Sequence, residues 1–409
     1  MRDKKSILFV MNTMGRAGAE RALIELMRVL DPAQYRISLY VLIPRGELFE
    51  EVPEHVHILN RKTDSRSVLT PGGKLAVGSR LAKALVRGGS LAKAVRRIRD
   101  MKRTGDKVRD AQTREKILRR LLADGSPGLP GRYDLAAAYL EGPATWYVAE
   151  KVHADRKAAF LHIDYRRAGY SNDLDNGCYS AFDRIYAVSG EVRKSFLEVY
   201  PEYEDRTKLF FNIVNREHIR RRAQETGGFA DNYGGIRLLT VGRLYYQKGY
   251  DIAVKTAALL KKQGYEFRWY VLGEGEEEKN IRHMIREYGL EDTFVLLGAT
   301  DNPYPYFSQA DIYVCTSRFE GKSIVIEEAQ ALGKPVVATG CTGVAEQIDQ
   351  GTDGVITDGT DPELLAEAVG RLIKEPALCR KYGEAAYNKE QLYKKGLNDF
   401  LELAGSRAE

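Results

Sequence analysis

The chain has 409 residues, a length that calls for two domains because single hydrophobic cores stop growing near roughly 250–300 residues. Apolar residues make up 44% of it and charged residues 29%, which excludes a disordered or fibrous chain. The net charge of +6 is uneven: residues 74–120 hold 16 Lys or Arg against 4 Asp or Glu, a balance of +12 that leaves the remainder at −6. No run approaches the roughly 20 apolar residues of a membrane span, and Ser6–Met11 is too short for a signal peptide and reads as a first strand. The four cysteines, Cys178, Cys315, Cys341 and Cys379, form no CxxC pair, so neither a disulfide framework nor a structural zinc site is supported. A reduced, cytoplasmic setting is expected.

In chain order, strand Ile7–Met11 is followed by a glycine-containing loop, Met14–Ala19, and a helix with Ala22, Leu23, Leu26 and Val29 on its apolar face. Ile37–Leu42 is the next strand, and this βαβ order implies a parallel sheet. Glu54–Ile58 reads as a strand whose His55 and His57 share a face; a metal pair is the less expected reading. Residues 61–131 break the rhythm, with Gly72-Gly73, Gly88-Gly89 and a Gly/Pro-rich turn at 125–131. Alternation resumes at Asp134–Tyr139, Ala158–His162 and Arg184–Val188. A second α/β run takes strands Ile236–Val241, Phe267–Leu272, Phe294–Leu297, Ile312–Cys315, Pro335–Ala338 and Gly354–Ile356, and the tail beyond Glu375 is helical. The fold class is α/β, with two doubly wound Rossmann-like domains at 1–212 and 236–384. A polar linker at 213–235 joins them, a basic helical insert occupies about 74–123, and a tail at 385–409 is free to pack back on the first domain.

The stretch Ser317–Thr339 carries the most chemistry. A strand ending at Cys315 runs into a loop, and a helix starts with Ser323 as its expected N-cap and stops at Gly333 before Pro335. Ligands of open α/β sheets bind at such strand ends, and a helix N-terminus offers N–H groups to a diphosphate. Glu320 in the loop and Glu328 in the helix can face one crevice, one accepting from sugar hydroxyls and the other from ribose hydroxyls. Val241–Gly249 ends a strand in a loop with Arg243 and Lys248, two cations able to neutralise a diphosphate leaving group. Gly273-Glu-Gly275 is a further glycine turn after a strand.

Taken together, Gly242-Arg243, Lys248-Gly249, Gly273-Glu-Gly275, Ala310-Asp311 and Glu320-Gly321…Glu328-Ala329…Gly333-Lys-Pro-Val-Val resemble the retaining glycosyltransferases of family 4, the glycosyl transferases group 1, over roughly residues 236–375. The N-terminal half resembles the capsular and exopolysaccharide branch through Gly18-Ala-Glu-Arg21, Tyr133-Asp…Tyr139-Leu-Glu-Gly-Pro143 and Leu161-His-Ile-Asp164. The resemblance implies a GT-B architecture, two domains facing a cleft, with the acceptor on the N-terminal side and the nucleotide sugar on the C-terminal side. It implies that Arg243 and Lys248 bind the donor phosphates, Glu320 the donor sugar and Glu328 the ribose, and that His162 approaches the sugar from the N-terminal domain. Gly15, Gly18, Gly242, Gly273, Gly275, Gly321, Lys322 and Ser323 complete the expected donor-binding set. Two departures stand out: Ala17-Gly18 replaces a common Gly-Gly, and Lys322-Ser323 replaces a common Phe-Pro, adding a cation at the phosphate pole.

The expected activity is retaining transfer of a sugar from a UDP- or GDP-sugar, UDP foremost, to a hydroxyl of a glycan or lipid-linked acceptor in surface polysaccharide synthesis. Domain closure is expected to bring His162 and the Gly15–Gly18 loop over the donor. No DxD motif marks a metal site, and no metal or resident cofactor is expected. The alternatives are a non-catalytic membrane-docked binding protein and a sugar-nucleotide epimerase or phosphorylase. In the insert, Leu91, Ala94, Val95, Ile98 and Met101 recur at helical spacing among Lys93, Arg96, Arg97, Arg99, Lys102 and Arg103. That pattern fits either docking on the anionic inner face of the cell membrane or a solvated helical face. Too few aromatics lie among the cations for nucleic acid.

Overall fold

The computed structural model describes residues 4–67, 70–86, 92, 95, 116–117, 119–165, 168, 170, 172–175, 177–320, 322–341, 343–390 and 393–405. Strands β1 (Lys5–Met11) and β2 (Tyr35–Val41) pair in parallel, Ile7 opposite Ile37, with helix Gly18–Val29 as their crossover. Ser6–Met11 is buried throughout, because a parallel sheet is covered on both faces. With β3 (His57–Ile58), β4 (Tyr133–Ala138), β5 (Ala154–Leu161), β6 (Arg184–Ala187) and β7 (Thr207–Leu209), they form an all-parallel sheet of order β3-β2-β1-β4-β5-β6-β7. The order reverses between β1 and β4, which opens a crevice at their carboxyl ends.

A second parallel sheet contains β8 (Ile236–Val241), β9 (Phe267–Leu272), β10 (Phe294–Gly298), β11 (Ile312–Cys315), β12 (Val336–Ala338) and β13 (Gly354–Ile356), in the order β10-β9-β8-β11-β12-β13. Its reversal lies between β8 and β11. Both sheets are doubly wound and Rossmann-like. Met1–Ile213 with Leu392–Glu409 form one compact unit, and Val214–Gln391 form the other.

The C-terminal helix Lys394–Leu403 belongs to the first unit. Phe400 stacks on Phe9 at 5.9 Å between ring centroids, the Tyr186 hydroxyl donates to Asp399 at 2.6 Å, and a Cβ on Gly396 would stand 2.8 Å from the Phe210 backbone. The helix therefore fits this sheet only with glycine at that contact.

Three local expectations change. The Gly72-Gly73 break is the first turn of helix Pro71–Val86, because Thr70 caps it by accepting the Gly73 N–H at 3.1 Å and Pro71 suits the first helical position. The stretch read as a linker holds helix Arg216–Arg222, started by Asn215, whose side chain accepts the His218 N–H at 2.9 Å. Glu54–Ile58 keeps only two residues of strand, and the His55 ring bonds the Met27 carbonyl at 3.1 Å. Of the insert's apolar stripe and its cations, Val95 is exposed; Leu91, Lys93, Ala94, Arg96, Arg97, Ile98, Arg99, Met101, Lys102 and Arg103 lie outside the described residues. Among the described residues no helix is long and apolar enough to cross a membrane.

Candidate functional site

The C-terminal unit brings Lys248 and Glu320 together at the β8/β11 reversal. β8 ends at Val241 and leads through Gly242 and Arg243 into the short turn Tyr246–Lys248. Gly249 then takes the left-handed region at φ 64°, and a Cβ there would sit 2.1 Å from the Thr316 carbonyl oxygen. Glycine thus lets this loop lie against the end of β11. The contact is fastened by the Thr316 hydroxyl donating to the Lys248 carbonyl at 2.8 Å, and by Gln247 Nε2 donating to the Phe319 carbonyl at 2.9 Å. Arg318 forks onto Asp251 at 2.7 and 2.9 Å. On the other side, Gly273 and Gly275 back onto the same loop, where added Cβ atoms would meet the Gly242 and Leu244 carbonyl oxygens at 1.9 and 2.3 Å. Those two glycines answer a close backbone approach within the unit.

This framework brings Lys248 and Glu320 together: Lys248 Nζ lies 2.5 Å from Glu320 Oε1, which also accepts from the Ser317 hydroxyl at 2.6 Å. Burial works against the Lys248 ammonium, but the Glu320 carboxylate beside it prevails and its pKa is raised, so the group is a cation at neutral pH. Arg243 is exposed, with its guanidinium 5.2 Å from the Tyr245 ring. One exposed cation and one ion-paired cation therefore mark the same strand ends.

The helix Ile324–Ala331 starts differently from the expectation. Ser323 makes no side-chain cap; its backbone N–H goes instead to Gln347 Oε1 at 2.8 Å. Lys322 ion-pairs with Glu327 at 2.7 Å and its side chain is 6% exposed, so its charge is already compensated by its own helix. Glu328 is buried and accepts from the Tyr304 hydroxyl at 2.9 Å. Gly321 lies outside the described residues.

In the N-terminal unit, Gly15 and Gly18 flank the loop after β1, and Gly18 opens helix Gly18–Val29 without a side-chain cap. A Cβ on Gly15 would meet nothing among the described residues nearer than Glu47, at 4.0 Å, so none of them requires glycine there. His162 follows β5, its ring 5.1 Å from Tyr139 and 6.4 Å from Phe160. Burial pushes its pKa down to about 3 against a hydrogen bond with the Tyr139 backbone, so the imidazole is neutral. Its Nε2 is buried with no partner among the described residues, an unmet bond that a ligand group would satisfy. The His162 N–H donates to Glu141 Oε2 at 3.1 Å. Glu141 is itself pushed up to about 7 by burial; Glu20 adds to the rise, while its own N–H, that of His162 and Lys116 oppose it. Asp164 accepts from the buried Ser195 hydroxyl at 2.6 Å and so anchors helix Gly190–Leu197.

Sequence reading missed Ser317, Gln347, Tyr304 and Glu141. Ser317 had a signal, three positions before Glu320 on one loop. Gln347 had none, being 24 positions from the backbone it holds.

Residues 229–389 match the family model of the glycosyl transferases group 1. An amylovoran biosynthesis glycosyltransferase of Erwinia amylovora is 30% identical over 171 residues, 40% of this chain and 48% of that protein. The N-acetylgalactosamine-N,N'-diacetylbacillosaminyl-diphospho-undecaprenol 4-alpha-N-acetylgalactosaminyltransferase of Campylobacter jejuni is 25% identical over 189 residues, 46% of this chain and 50% of that one. The chain thus spans about half the length of these curated relatives. HepE of Anabaena, solved in complex with UDP, superimposes with a TM-score of 0.63 at 17% identity, covering 93% of each chain. At that identity the likeness shows the fold alone, which is GT-B.

Proposed function

Because residues 229–389 match the family model of the glycosyl transferases group 1, we propose that the whole chain transfers a sugar from a nucleoside diphosphate sugar to a hydroxyl acceptor. The observation that carries this reading is the Lys248–Glu320 pair at the β8/β11 reversal, with exposed Arg243 on the same loop. Lys248 is held charged by a carboxylate that a sugar hydroxyl can engage, and a diphosphate can take over the ammonium when it arrives. Glu328 is assigned to the ribose. The unmet Nε2 of His162 is assigned to the donor sugar as a neutral hydrogen-bonding group.

The reaction breaks the bond between the sugar's anomeric carbon and the diphosphate oxygen. Arg243, Lys248 and the N-terminus of helix Ile324–Ala331 stabilise the charge that develops on that oxygen, an electrostatic role that needs no reorganisation during the step. The acceptor oxygen forms the new bond on the same face, and its proton passes to the departing phosphate oxygen, so configuration is retained. Glu320, already accepting from Lys248 and Ser317, positions the sugar and is not the nucleophile. No metal takes part, since the two cations supply the counter-charge. UDP is the favoured carrier because HepE was solved with it. A glycan or lipid-linked acceptor is favoured by the Erwinia and Campylobacter relatives. The basic residues 74–120 serve to dock the chain on an anionic membrane surface, to be checked by co-flotation with anionic but not neutral liposomes and by release as salt rises.

A melting-temperature panel over UDP-, GDP-, ADP- and CMP-sugars tests the donor assignment, because a ligand of the native state raises the midpoint. One class stabilises the chain, and Arg243→Ala loses most of that shift. No shift from any class overturns the reading.

A further inference from the structure

Gln347 lies beyond β12, yet its side chain is spent on the start of helix Ile324–Ala331. Its Oε1 accepts the Ser323 N–H at 2.8 Å and its Nε2 donates to the Ser323 carbonyl at 2.8 Å. A carboxamide meets an N–H and a C=O at once in this way, which an ionised carboxylate cannot. Gln347 is 2% exposed and is itself held in place. Its own carbonyl accepts from Gln330 Nε2 at 2.7 Å and from Lys389 Nζ at 2.8 Å. Lys389 pairs in turn with Asp353 at 2.6 Å and Asp349 at 2.9 Å. The clamp is therefore rigid and buried.

It also changes what the helix presents. With its backbone N–H taken, Ser323 enters in an extended conformation, φ −80° and ψ 106°, and its hydroxyl is not used as a cap. The N–H groups of Ile324 and Val325, in the first turn, have no intrahelical carbonyl within reach. Left at this helix start are the hydroxyl of Ser323, a residue 4% exposed, and two aligned donors. Resting on the reading that this helix end receives the donor diphosphate, we propose that Gln347 is a positioning residue. It fixes Ser323 and the first helical turn so that they grip the phosphate nearest the sugar. An ionised glutamate there would keep only the bond from the Ser323 N–H and would place a negative charge against an anion.

Calorimetry on the full chain with UDP and UMP, or GDP and GMP if the chain prefers guanosine, separates the two roles. The second phosphate is absent from the monophosphate, so a clamp on that phosphate changes the ratio of the two affinities, whereas a loosened fold weakens both alike. Gln347→Glu is expected to lose about tenfold or more in UDP affinity with little change for UMP, and Gln347→Met, which adds no charge, to lose less but in the same pattern. Melting temperatures identify which variants fold, and Gln347→Met carries the ratio test if the glutamate variant does not. Equal losses for UMP and UDP, or UDP affinity within about twofold of the unmodified chain in a folded variant, overturn the role of Gln347. Absence of UDP and GDP binding by the unmodified chain, or undiminished binding by Arg243→Ala, overturns the donor-site reading itself.

Discussion

Glu141 and His162 are joined by one hydrogen bond and perturbed in opposite senses by the same burial. Glu141 in the folded chain titrates at about 7 instead of 4.5, so between those values the native state holds a proton that the unfolded chain releases. Its contribution is full below about pH 4.5 and is lost as pH rises through 7, roughly 3–4 kcal/mol at most since one pKa unit is roughly 1.4 kcal/mol. His162, at about 3 instead of 6.5, works the other way: the unfolded chain binds the proton first, so stability falls as pH drops below 6.5. The two slopes oppose each other between about pH 4.5 and 6.5. Glu141→Gln removes one of them. Denaturant titrations are expected to show the variant gaining on the unmodified chain as pH rises from 6 to 8; a difference that stays constant across that range would show that Glu141 does not titrate there.

Among the elements, the loop after β8 depends on glycine where it lies against the end of β11. Gly249→Ala places a methyl 2.1 Å from the Thr316 oxygen at a left-handed φ. The expected cost is on the order of 2 kcal/mol or more, with loss of nucleotide affinity because Lys248 shifts with the loop. A melting temperature unchanged within experimental error would contradict it. This region was also the most legible in the sequence. Arg243, Lys248 and Glu320 follow strands whose apolar runs are plain, and a strand–loop–helix order leaves them one sheet edge to occupy. Helix Arg216–Arg222 was hidden because its neighbourhood is polar and Gly-rich and its one start signal is Asn215. β7 was hidden by its length, three residues, too short for an alternation to show, and β3 was read three residues too long at Glu54–Ile58. The Gln347 clamp and the buried carboxylate of Glu141 depend on tertiary neighbours that no local pattern specifies.

At the scale of the molecule, each unit carries one of the chain's two tryptophans, Trp146 in the first and Trp269 in the second. Trp269→Phe therefore leaves fluorescence reporting on the first unit alone. In that background Phe400→Ala is expected to cost about 3–5 kcal/mol, the usual result of emptying a packed aromatic site, because Phe400 fills the space against Phe9, Phe160 and Phe210. An unshifted Trp146 transition would show that the C-terminal helix is not part of that core.

The most direct measurement is release of nucleoside diphosphate from the stabilising nucleotide sugar, followed in excess EDTA for the unmodified chain and for Lys248→Ala. Sustained release by the unmodified chain is predicted, together with a loss on the order of 10²-fold or more in a folded Lys248→Ala protein. No release from any nucleotide sugar, or a Lys248→Ala variant that turns over like the unmodified chain, would contradict the assignment of this site to sugar transfer, and abolition by EDTA that magnesium restores would contradict the two cations as the counter-charge of the diphosphate.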